Sequence, residues 1–140
     1  MIVLDTNVLS ELMRSQPSVR VVTWFARQQP AELFTTSVTE AEIFYGIELL
    51  AAGKRRKGLL EAAETMFTKV FAGRILAFDS DAARAFARLA ANGRALGRPR
   101  SQADTQIAAI AQAHGAKVAT RNAADFSDCG LDLVDPWKFS

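Results

Sequence analysis

Short apolar runs that hand over directly to helix-forming patterns constrain this chain more than any other feature. Ile2-Val3-Leu4 is followed at once by Asp5-Thr6-Asn7, after which Val8, Leu9 and Leu12 recur at helical spacing. A strand so short and so apolar is buried on both faces, and strands that alternate with helices assemble into a parallel sheet through right-handed crossovers. The alternation repeats, with strands expected at 2–4, 33–35, 74–78, 117–119 and, more weakly, 131–134. Helices are expected at 7–14, from Pro17 as a first helical position to 29, and from a Ser37 cap to 51. Three more are expected: 60–73 up to Gly73, from an Asp79 or Ser80 cap to a fraying end near Gly93, and from a Ser101 cap to His114-Gly115. Gly53 and the basic run Lys54-Arg55-Arg56-Lys57 read as a connection. The expected fold is one α/β domain over residues 1–140, with a central, mainly parallel sheet flanked by helices.

Composition removes several classes of function. Cys129 is the only cysteine, which excludes an intramolecular disulfide, and the lone His114 excludes a catalytic pair of histidines. No glycine-rich phosphate loop of Walker type is present. The first apolar stretch has no basic segment ahead of it, Asp5 and Glu11 interrupt it, and no apolar run approaches membrane-spanning length. A soluble cytoplasmic protein with no membrane association is expected. The net charge of +2 and the pI of about 9.0 are mildly basic, which is not in itself a nucleic-acid signature. If metal neutralised a cluster of the acids, the rest of the surface would present a more favourable field to a polyanion.

Asp5 ends the first strand, where ligands and catalytic groups collect in open α/β sheets. It is also a good helix cap, so position alone leaves both roles open. Glu42, Asp104 and Asp125 fall near comparable junctions, and together with Asp5 they read as one metal site. Glu42 has Val38, Tyr45 and Leu49 around it on its helix, but Glu40 has Ile43, Phe44 and Ile47, so periodicity does not choose between them. A Ser37-to-Glu40 capping box gives Glu40 a structural role and leaves Glu42 as the better candidate. Asp104 stands three residues after Ser101 and could complete another capping box, yet Ile107, Ala108 and Ala111 place it on an apolar stripe. Asp125 follows Thr120-Arg121-Asn122, where a turn role competes. A site made of carboxylates suits magnesium or manganese rather than zinc.

These segments taken in order resemble a known family. Ile2-Val3-Leu4-Asp5-Thr6-Asn7, Thr39-Glu40-Ala41-Glu42, the run from Asp104 to Ala111, and Val118-Ala119-Thr120-Arg121-Asn122-Ala123-Ala124-Asp125-Phe126 are similar to the PIN-domain ribonucleases of the VapC toxin family, most closely its FitB-like branch. The resemblance implies a PIN-like fold and an acidic quartet of Asp5, Glu42, Asp104 and Asp125 around Mg2+ or Mn2+. It also implies that Asn7 supports the first aspartate and that Thr120 and Asn122 line the pocket. The implied partners are a second copy of the chain, a VapB-like antitoxin that blocks the site, operator DNA held through that antitoxin, and an RNA substrate.

Chemistry agrees with that expectation. Clustered carboxylates repel one another unless cations occupy the site, and a bound divalent ion acidifies a water that can attack a phosphodiester. Lys54, Arg55, Arg56 and Lys57, with Arg94, Arg98 and Arg100 ahead of Ser101, are candidates for contacts to RNA phosphates. Two rival readings remain. One is a regulatory binding module whose acids only cap helices. The other is a magnesium-dependent phosphatase of haloacid-dehalogenase type, which would need a second aspartate where Asn7 stands and a later lysine that this chain does not place.

Overall fold

The computed structural model describes residues 1–140. Its strands, β1 (Ile2–Leu4), β2 (Leu33–Thr36), β3 (Ile75–Leu76), β4 (Lys117–Ala119) and β5 (Leu133–Val134), form a 5-stranded parallel sheet in the order β3-β2-β1-β4-β5. Ile2 pairs with Leu33 on one side of β1, and Val3 with Val118 on the other. The chain winds outward from β1 to β3, then crosses back to lay β4 against the opposite edge of β1. The winding direction therefore reverses between β1 and β4, and a reversal of this kind opens a crevice beyond the carboxyl ends of its strands. Asp5 and Thr120 are the first residues past those two ends.

The pleat divides the core in two. Leu4 and Ala119 face one side with Val8, Leu9, Trp24, Ile43, Ile47 and Phe67. Val3 and Val118 face the other with Leu89, Ile107, Ala108 and Phe126. Helices α1 (Thr6–Leu12), α2 (Val19–Arg27), α3 (Ser37–Glu48) and α4 (Lys54–Thr65) contribute to the first core, and α5 (Ser80–Ala95) and α6 (Gln102–Ala113) to the second. A register slip of one residue would exchange Val3 with Leu4 between unlike cores, so the pairing is strongly specified. In α6, Ala108, Ala109 and Ala111 are fully buried, which lets the helix lie close to the sheet and to α5.

Several local expectations change for physical reasons. α1 starts at Thr6 with Asp5 as its cap, one residue earlier than expected. Ser18 rather than Pro17 opens α2, its hydroxyl accepting from the Val21 N–H. The cap of α3 is Thr36, whose Oγ1 accepts from the Thr39 N–H at 3.0 Å, so the Ser37-to-Glu40 capping box does not form. α3 ends at Glu48 instead of 51. Lys54 to Lys57 form the first turn of α4 and not a connection. Cations there oppose the helix dipole, and Arg56 finds its partner instead in Glu48 of α3, at 3.1 Å.

α4 runs into a π-helical segment, Met66–Val70, whose wider turn accompanies the burial of Phe67 and Phe71. β3 is only Ile75–Leu76; Arg74, expected in the strand, still accepts from the Thr35 N–H at 3.0 Å, and its guanidinium turns to the carbonyls of Pro30, Leu33 and Val70. The last strand is likewise shortened to Leu133–Val134. α5 continues through Gly93 to Ala95 where a frayed end was expected, and Gly97 at φ 66° makes the turn beyond it.

Candidate metal centre

The hydrogen-bonding demands of Asp5 define the centre. Its Oδ1 accepts from the Thr6 N–H at 2.8 Å, which caps α1. Its Oδ2 accepts from the Thr120 hydroxyl, also at 2.8 Å, across the β1–β4 reversal. Thr120 is fully buried, and its Oγ1 accepts in turn from the Asn122 N–H at 3.0 Å, which fixes the direction of the hydroxyl proton. Asp5 itself is 3 % exposed. Burial pushes its carboxyl up to about 6, the two hydrogen bonds oppose that rise, and the charges of Asp104 and Glu42 add to it.

Glu42 is aimed by threonines. Thr6 Oγ1 donates to Glu42 Oε1 at 2.6 Å and lies 3.0 Å from the Thr39 hydroxyl, which also meets the Thr36 hydroxyl at 3.3 Å. The same residue that uses its backbone to hold Asp5 thus uses its side chain to hold Glu42. Thr6 stands in the Asp5-Thr6-Asn7 motif, but an uncharged residue with helical neighbours carried no signal of this role. Glu40 does not line the cleft.

Asp104 sits in the first turn of α6, where its N–H donates to Ser101 Oγ at 3.1 Å. Burial raises its carboxyl, and the charge of Asp125 raises it further. Asp5, Glu42 and Asp104 line one cleft of about 510 Å³, with Asn7 and Asn122 on its wall. Asp125 lies outside that lining on an exposed 3₁₀ turn, Ala123–Asp125, near enough for Asp104 to feel its charge. Asn7 bonds not to Asp5 but to the Arg121 N–H, at 3.4 Å, and so ties the loop after β4 to α1.

Glu11, also in the cleft wall, was not anticipated. It is 6 % exposed, but its carboxylate already accepts from the Ser18 N–H at 2.8 Å and pairs with Arg14 at 3.3 Å. Those bonds hold it below the usual glutamate range, led by the Ser18 N–H. Asp5, Glu42 and Asp104 differ from it, since none of them pairs with a cationic side chain. No three acids close on a single point as a finished chelate in this arrangement. The donor set nonetheless fits a hard divalent cation: Asp5 is buried and Asp104 half-buried without a paired cation, and Glu42 adds an exposed carboxylate beside them.

The basic candidates separate. Arg100 is a correction: its side chain is 5 % exposed and pairs with Asp128, itself 13 % exposed, at 2.5 Å. A second Arg100 nitrogen donates to the Leu89 carbonyl at 3.1 Å, and the guanidinium rests against Gly93, where an added Cβ would come within 3.2 Å of it. Turned inward, Arg100 has no face to offer an RNA phosphate. Arg98 and Arg94 are exposed. Arg55 lines a groove that shares Thr6, Ser10 and Glu42 with the cleft, and Lys54 lines its extension beside Arg14.

The chain is similar along its length to known proteins. The PIN domain model matches residues 2–130. The chain is 42% identical over 138 residues to a VapC ribonuclease, Y4jK, of Sinorhizobium fredii, covering 99% of both sequences. It is 38% identical over 137 residues to the toxin FitB of Neisseria gonorrhoeae, covering 98% of this chain and 99% of that one. A solved structure of FitAB bound to a DNA fragment superposes with a TM-score of 0.92 at 37% identity, over 100% of this chain and 98% of that one.

Proposed function

Because the chain belongs to the PIN-domain family, we propose that it is a metal-dependent endoribonuclease, the toxin of a VapBC-like type II toxin-antitoxin pair, acting as one unit over residues 1–140. The observation that carries this reading is Asp5: a buried carboxylate at the reversal of the sheet, sharing a cleft with Glu42 and Asp104 and lacking any cationic side chain to neutralise it. Asp5, Glu42 and Asp104 would hold Mg2+ or Mn2+, with Asp125 adding charge from the flank of Asp104. When bound, such an ion supplies Lewis acidity toward the phosphoryl group and an acidified water. Thr120 and the Thr6 backbone keep both Asp5 oxygens in fixed directions, and the Thr6 hydroxyl does the same for one oxygen of Glu42.

The partners follow from the relatives. The likeness to the toxin FitB, and to a FitAB structure on DNA, supports a VapB-like antitoxin and operator DNA reached through it; a homodimer and an antitoxin that covers the cleft are part of the proposal. No helix is long and apolar enough to cross a membrane, and action on RNA in the cytoplasm is part of the proposal.

The two glutamates provide a sharp control. Glu42→Gln should lower RNA cleavage by more than about tenfold, since even residues that only orient metal ligands cost roughly 10–100-fold. Glu40→Gln should leave cleavage near wild type and change stability by no more than about 0.5 kcal/mol, because it caps nothing here. Equal effects in a single-turnover assay would remove Glu42 from the site.

Product chemistry tests the reaction itself. If water attacks phosphorus, the ribose 2′-hydroxyl takes no part, and the fragments carry 5′-phosphate and 3′-hydroxyl ends. A substrate with one 2′-deoxy nucleotide on the 5′ side of the cut should still be cleaved in magnesium or manganese, and chelation should stop the reaction. Cyclic 2′,3′-phosphate products, or full activity in excess chelator, would defeat the proposal.

A further inference from the structure

One wall of the cleft is chemically unlike its acidic floor. Trp137 is the sole hydrophobic residue in the lining, and the last 3₁₀ turn, Pro136–Lys138, gives it a fixed seat. Pro136 is buried, Asp135 Oδ1 accepts from the Trp137 N–H at 2.9 Å, and Arg20 donates to the Trp137 carbonyl at 3.4 Å. The Arg121 guanidinium lies over the indole, 5.1 Å from the ring centroid. Arg14, the other cation in the lining, is engaged by Glu11, whereas Arg121 makes no ion pair. The Arg121 backbone is itself tied to Asn7. A free cation layered on an aromatic ring thus stands beside carboxylates that would repel any anion not bridged to them.

We infer that Arg121 and Trp137 form a nucleotide subsite for single-stranded RNA, in which the guanidinium engages the phosphate next to the scissile one and the Arg121–Trp137 layer supports its unstacked base. A duplex keeps its base faces inside the stack and shows mainly phosphates and groove edges, so it has nothing to lay on such a platform. An aromatic surface beside a cation is how proteins hold single strands with little regard to sequence. The inference rests on the ribonuclease reading, but binding can be measured without turnover.

The experiment uses the Asp5→Asn protein and a mixed-sequence ribo-oligonucleotide of about 10 nucleotides, within the usual span of single-strand sites. Binding should change the tryptophan emission. Trp24 is 3 % exposed, so the signal belongs to Trp137, and Trp137→Phe should erase it. The same strand annealed to its complement should produce no such change. Trp137 also packs on the core, so a second variant guards against misfolding. Arg121→Gln removes an exposed charge, and should weaken binding roughly fivefold and reduce the slope of log affinity against log salt by about 0.7, the value for one phosphate contact on a single strand. In the wild-type background the same change should raise KM for RNA. Unchanged emission on RNA binding, an unchanged salt slope, or an equal response to duplex would overturn the subsite. An emission change driven by an acidic peptide and not by RNA would also overturn it, and would assign the surface to a protein partner. Wild-type protein that cuts no RNA in magnesium or manganese would instead overturn the ribonuclease reading, whatever the binding data show.

Discussion

Asp5→Asn should abolish RNA cleavage and, in metal-free buffer at neutral pH, make the protein more stable than wild type. The loss of activity should exceed the roughly 100-fold limit seen when only a ligand's supporting residue is removed. The gain in stability follows from linkage. Burial raises the Asp5 carboxyl to about 6, above its ordinary value of 3.8, so the native state binds this proton more tightly than the unfolded chain does. The Asp5 contribution to wild-type stability must then fall as pH rises through the window from 3.8 to about 6, and level off above it. Asparagine keeps an oxygen for the Thr6 N–H but carries no charge, so the variant lacks this contribution and keeps only the pH dependence of the other carboxyls. At pH 7 the difference should approach about 2–3 kcal/mol, and at pH 4 it should nearly vanish. Magnesium should close the gap by stabilising the wild type alone, by about 2.7 kcal/mol at a hundred times its Kd. Urea denaturation at the two pH values, with and without magnesium, reads all of this. An Asp5→Asn protein that turns over RNA, or that is less stable than wild type at pH 7, would be inconsistent with a metal-binding carboxylate held under repulsion.

Arg100→Ala should cost about 3–5 kcal/mol, as much as truncating a core aromatic, because it strands the largely buried charge of Asp128. Against a total stability of about 5–15 kcal/mol, that is a fifth or more of the whole. Arg98→Ala, two residues earlier and exposed, should stay within about 0.5 kcal/mol. The pair is not ideally satisfied, since Arg100 Nε and Asp128 Oδ2 have no hydrogen-bond partner. The double variant Arg100→Met with Asp128→Leu should therefore regain most of the loss. If Arg100→Ala instead folds with wild-type stability and loses RNA affinity with a flatter salt dependence, the guanidinium is turned outward in solution and belongs to the RNA path.

The difference between Arg98 and Arg100 shows where sequence reading stops. Both precede the Ser101 cap in a basic, proline-containing loop, and nothing local distinguishes them. What does is Asp128, 28 residues further on, together with the bare helix surface at Gly93. The alternation of apolar runs with helical patterns was enough to expect a parallel sheet, and Asp5 could be placed at a strand end from Ile2-Val3-Leu4 alone. The choice of cap for α3 was not legible, because Thr35, Thr36 and Ser37 are consecutive hydroxyl residues and only the backbone decides which one turns. The helical state of Lys54 to Lys57 was hidden for a similar reason: local electrostatics disfavours it, and a tertiary pair with Glu48 favours it. The bond between Thr120 and Asp5 spans 115 residues, beyond any periodicity, and Thr120 was reached only through resemblance.

That span bears on how such a chain is made. Synthesis proceeds from the N-terminus, and β1, β2 and β3 are all translated before β4, although β4 lies directly against β1. A ribosome that has delivered Asp5 and Glu42 has assembled nothing hazardous, because the hydroxyl that orients Asp5 and the helix bearing Asp104 belong to the last third of the message. On the proposed reading, chains truncated ahead of α6 and β4 should therefore lack a working cleft, and activity should arise only as the final strands emerge. If its target is RNA, as proposed, that ordering would shield the machinery producing it until the moment of release.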